Sequence, residues 1–133
     1  MTIQFMSATF TGTRPLLLGN PQAVDPFNKY AKEMRRITNK RTAKTEDDLL
    51  ELQRIEVASK LYFDEEIGVY VPSTWVSAAI AENSFAKTKI KKANVRGGVF
   101  MADDKLKLHY DGMDKVKTAD DVIGNRDVYN LMI

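Results

Sequence analysis

Hydrophobic and polar positions alternate at the start of the chain. Ile3, Phe5, Ser7, Thr9 and Thr11 point one way, and Gln4, Met6, Ala8 and Phe10 the other, which predicts a strand covered on both faces. Gly12, Pro15, Gly19 and Pro21 then punctuate a loop, within which Leu16 to Leu18 are expected to be buried. The period changes to that of a helix at Phe27, Tyr30, Ala31, Met34 and Ile37, with Asp25 as the expected cap and Pro26 in the first turn. Its opposite face carries Lys29, Lys32, Arg35 and Arg36.

A second helix is announced by Thr45 and Asp48, spaced as a capping box, and its apolar positions run from Leu49 to Leu61. Glu56 interrupts that surface and is expected to pair with Arg54, Lys60 or a base from another element. Leu61, Phe63, Gly68, Val69 and Val71 predict a hairpin that ends at Pro72. A third helix follows, capped by Ser73 or Thr74, with Trp75, Val76, Ala79, Ile80 and Ala86 inward. "VRGGVFMA" and "KLKLHYDG" read as two strands joined at Asp103-Asp104, and "DVYNLMI" as a terminal strand tied into a sheet. The expectation is one α+β domain over residues 1–133, a mostly antiparallel sheet with helices packed on it.

Composition leaves this picture intact. A chain of 133 residues with 44% hydrophobic and 29% charged residues can bury a core, and no cysteine is present for disulfides, thiolate metal sites or thiol catalysis. No secretion signal or membrane-length apolar run is read, so a cytoplasmic protein is expected.

Charge changes the picture more. The net charge is +2, yet Lys29 to Lys44 holds seven bases against Glu33, Glu46 to Glu66 holds eight acids against Arg54 and Lys60, and Lys87 to Arg96 holds five bases and no acid. Cations near the carboxyl end of a helix suit its dipole, but that explains one or two lysines rather than five bases. Lysines and arginines beside glycine-rich backbone are what phosphate contacts use. The expected nucleic-acid surface is therefore Lys87, Lys89, Lys91, Lys92 and Arg96, joined by Arg35, Arg36, Lys40, Arg41 and Lys44. Phe5, Phe10, Phe100 and Tyr110 are candidate rings for base stacking.

Catalytic signals are absent. His109 is a lone histidine, no Gly-x-Ser-x-Gly, phosphate-loop or dinucleotide fingerprint occurs, and the adjacent acid pairs project to different sides of their elements. A non-enzymatic protein with no metal or cofactor is expected.

Two resemblances point the same way. "TGTRPLLLGNPQAVDPFNKY" and "NKRTAKTEDDLLELQRIEVASKLYFDEEIGVYVPS" resemble a family of small bacteriophage proteins over roughly residues 10–100, through positions such as Asp25-Pro26, Lys40-Arg41, Lys44-Thr45, Glu56 and Pro72. That resemblance implies a phage accessory role in an infected host, without a catalytic residue. "YVPSTWVSAAI" is similar to a motif of the RAMP proteins of CRISPR complexes, with Val76, Ser77 and Ala78 where those proteins carry a glycine. It implies a ferredoxin-like, RRM-like sheet and RNA as ligand. The partner expected is thus RNA or single-stranded DNA, the alternative is a host defence complex inhibited by a protein-interaction module, and strand addition at "DVYNLMI" would give a homodimer.

Overall fold

The computed structural model of the protein describes residues 2–14, 16–109 and 120–121. Its elements are a 3₁₀ turn Pro21–Val24, helices α1 (Lys29–Thr38) and α2 (Glu46–Lys60), strands β1 (Phe63–Asp64) and β2 (Gly68–Pro72), helices α3 (Ser73–Thr88) and α4 (Lys92–Gly98), and strand β3 (Lys105–Lys107). The expected α+β class is what forms. The sheet is antiparallel with order β1-β2-β3: Phe63 pairs with Val69, Tyr70 with Lys107 and Pro72 with Lys105. That sequential order, with two helices before the first strand, is not the split β-α-β arrangement of a ferredoxin-like sheet among the described residues.

The cap of α1 lies three residues later than Asp25. Asp25 instead accepts the Phe27 amide at 2.9 Å in a turn before the helix, and Asn28 caps the helix through the Tyr30 amide. The apolar stripe forms in part: Tyr30, Ala31 and Met34 are half-buried and Ile37 is 2% exposed, but Phe27 precedes the helix and is exposed. α2 begins with the reciprocal capping box, the Asp48 amide donating to Thr45 Oγ1 and the Thr45 amide to Asp48 Oδ2. Ile55, Val57 and Ser59 are its buried positions, while Leu49 and Leu50 are exposed.

The carboxyl end of α2 is held from a distance. Asn20 donates its backbone amide to the Lys60 carbonyl (3.1 Å) and its side-chain amide to that of Leu61 (3.0 Å), and the Gln22 side chain donates to those of Ser59 and Leu61. The last carbonyls of a helix have no partner within it, so these bonds replace water with residues about forty positions away.

The hairpin turn is built by Asp64, whose carboxylate accepts the amides of Glu66 and Ile67, and by Gly68 at φ 84°. Lys105 of β3 reaches the same carboxylate at 2.5 Å and lies over the Tyr70 ring. The lysine and then the turn amides hold the Asp64 carboxyl below its ordinary value, and the carboxylate holds Lys105 above its own. Asp64 therefore contributes stability above the ordinary carboxylate range and loses it as pH falls through its lowered value. Lys105 contributes fully below the ordinary lysine range and loses its share as pH rises through its raised one. In urea titrations across pH, Asp64→Asn, which keeps an acceptor for the turn amides, is expected to flatten the acid limb. An unaltered acid limb would show that the pair carries none of it.

Several expectations fail for one reason: hydrophobicity assigns faces, but partners decide them. Residues 3–11 form no strand, because none among the described residues pairs with them, and Ile3, Phe5, Met6 and Phe10 are 71–92% exposed. Leu16 and Leu17 are exposed as well. No side chain caps α3, whose N-cap is Pro72. The buried positions of α3 are Ser73 and Ala81, with Trp75, Ala79, Ile80 and Ala86 outward. α4 packs on α3. Residues 95–102 are not a strand; Arg96, Gly97 and Gly98 belong to α4, so Asp103-Asp104 is not a hairpin turn, and β3 pairs with β2 instead. Tyr110 and "DVYNLMI" lie outside the described residues.

Candidate nucleic-acid interface

The basic tract turns a corner instead of running into a strand. Lys89 ends α3 in the left-handed conformation (φ 61°), its amide donating to the Phe85 carbonyl, and Lys91 is the extended N-cap of α4. Hydroxyls pin the corner: Thr88 Oγ1 donates to the Ser84 carbonyl at 2.7 Å and accepts the Ile90 amide at 3.2 Å. Val95, only 8% exposed, anchors α4 behind it.

This turn separates the five bases into two groups. Lys92 and Arg96, one helical turn apart on α4, both face Glu82 of α3; Lys92 is ion-paired with it and Arg96 lies 3.7 Å away. Lys87, Lys89 and Lys91 are exposed and have no carboxylate partner among the described residues. Lys89 Nζ lies 5.5 Å from the centroid of the Phe85 ring, which is 55% exposed. Phe85 is a candidate that sequence reasoning missed, although its spacing of four from Lys89 on a helix end was a usable signal.

The earlier bases belong to a different helix pair, because α1 packs on α2 and α4 on α3. Arg35 and Arg36 are exposed in the last turn of α1, and Arg41 and Lys44 in the following loop. Lys40 is spent on Asp48, whose carboxyl that ion pair and the Thr45 amide keep low. Glu56 pairs with Lys60 at 2.6 Å, as expected of an acid in that position. Arg54 pairs with Glu51 and Asp120.

Phe100, 81% exposed, borders an open cleft of about 460 Å³ between the first turns of α3 and the end of α4. Phe10 joins Trp75, Val76, Ala79 and Ile80 around an apolar depression on the other side of α3. His109 is exposed, and among the described residues no cluster of acids and histidine is arranged to hold a metal ion. No described helix is long and apolar enough to cross a membrane. Comparison with known protein families, curated proteins and solved structures finds no match to this chain.

Proposed function

We propose that this chain is a non-enzymatic phage accessory protein that binds RNA or single-stranded DNA through the α3–α4 corner. One observation carries the reading: Lys87, Lys89 and Lys91 are exposed, and have no carboxylate partner among the described residues, on backbone that local hydrogen bonds hold. Cations carried on an ordered corner attract a phosphate chain without that backbone having to be ordered first, and Phe85 and Phe100 supply exposed rings on which unpaired bases can stack. The protein purified in low salt is expected to carry nucleic acid that a high-salt wash removes. Preparations free of nucleic acid before the wash, and indifferent to added oligonucleotide, would overturn the reading.

A second reading is a module that docks on a host defence complex. It is favoured by the exposed apolar side chains Ile3, Phe5, Met6 and Phe10 and by the depression around Trp75 and Ile80, more apolar surface than phosphate binding uses. A stoichiometric host protein retained from lysate after nuclease treatment would favour it, and retention of nucleic acid alone would exclude it.

A further inference from the structure

The cleft at the amino end of α3 has the parts of a phosphate subsite. Ser73, Thr74 and Ser77 form one wall, and Arg96, Val99 and Phe100 contribute to the other. α3 is 16 residues long and no side chain caps it, so its first-turn amides present positive potential to the cleft. The Ser73 amide is taken by the Asp104 carbonyl at 2.9 Å.

The independent sign of a ligand is the Ser73 side chain. Ser73 is 4% exposed and lines the cleft, and its hydroxyl has no hydrogen-bond partner among the described residues. No polar side-chain atom among the described residues is both sealed from solvent and unpartnered, so this hydroxyl keeps access to solvent, and the cleft that Ser73 lines is where it can find it. With no partner of its own among the described residues, it can donate to or accept from whatever enters. Arg96 adds a guanidinium whose only described carboxylate, Glu82, is 3.7 Å away and already engaged by Lys92.

We propose that this cleft holds the phosphate monoester of a nucleotide, with Ser73, Ser77, Arg96 and the α3 amino end on the phosphate and the Phe100 ring against the base. The inference rests on the nucleic-acid reading and adds a preference for a strand end, or for a free mononucleotide. Asp104 also lines the cleft and opposes the phosphate charge; it is exposed, where water and salt screen the repulsion.

The test compares two short single strands of one sequence, ending in a 5′-phosphate or a 5′-hydroxyl, with adenosine monophosphate titrated separately while backbone amide signals are followed. The phosphorylated strand is expected to bind about tenfold more tightly, the weight of one charge-assisted hydrogen bond. Ser73→Ala, and separately Arg96→Gln, are expected to reduce that ratio and Asp104→Asn to increase it. Lys87→Gln with Lys91→Gln should weaken both strands equally and leave the ratio. The monophosphate is expected to shift the amides of residues 73–77. A mononucleotide that shifts them while neither strand binds keeps the subsite and sinks the polymer reading. Strands that bind regardless of end chemistry, with no shift at residues 73–77, overturn the subsite and leave the polymer reading standing.

Discussion

Ile37→Ala is expected to lower the unfolding free energy by about 3 kcal/mol, within the range for emptying a fully buried aliphatic site. Ile37 is the only buried residue of α1 and is 2% exposed. The core it belongs to is small, with Ile55, Val57, Leu61, Val69, Ala81 and Val95 as the other buried apolar side chains among the described residues. Folded proteins have only about 5–15 kcal/mol in hand, so this one change removes a large share. A fall in Tm of roughly 10 °C should accompany it for a chain of this size. Ile37→Val, which deletes one methyl group, should cost about 1 kcal/mol. Urea unfolding followed by circular dichroism measures both. A loss below about 1 kcal/mol for the alanine variant would mean that α1 is not anchored through this side chain.

The largest effect on binding is expected from the corner lysines. If Lys87, Lys89 and Lys91 each neutralise a phosphate of a single strand, the logarithm of affinity should fall against that of salt with a slope of about −2. Between 50 and 200 mM salt that is a roughly 20-fold loss. Lys87→Glu with Lys91→Glu and Lys89→Gly should flatten the slope toward zero. Glycine is chosen at 89 because the left-handed backbone there costs a side-chain-bearing residue about 1–2 kcal/mol. Glycine returns part of that as unfolded-chain entropy, about 0.5–1 kcal/mol. The Lys89→Gly single variant should therefore be as stable as the parent or up to about 1 kcal/mol more so, while binding less tightly. Reversing Lys92 instead should matter less, because Glu82 already compensates it. Fluorescence anisotropy with a labelled oligonucleotide reads all of these, and a slope that survives the triple substitution would place the phosphate contacts elsewhere.

What could be read in the sequence was local. Thr45 and Asp48 are three residues apart, so their reciprocal bonds depend on nothing beyond one turn, and the box forms as spaced. The hairpin from Phe63 to Pro72 and the Glu56–Lys60 pair are equally short-range. What could not be read was settled between elements. Trp75 and Ile80 are the apolar positions of α3, yet Ser73 and Ala81 are buried, because the sheet exit and α4 crowd that side. The lysine tract contains no proline or glycine to mark its corner, and Glu82 is ten residues before the Lys92 it pairs with. The candidate surface was thus visible as a composition, but its division into paired and unpaired cations was not.

The bonds from Asn20 and Gln22 to the carboxyl end of α2 also bear on the order of assembly. Closing a loop of about forty residues costs entropy before the contact returns any energy, whereas α1 and α2 are neighbours in sequence. The helical hairpin should therefore dock first and the Pro21–Val24 turn latch onto it late. Pulse-labelled amide exchange during refolding should find the Asn20 amide protected after those in the middle of α2, and simultaneous protection would refute a late latch.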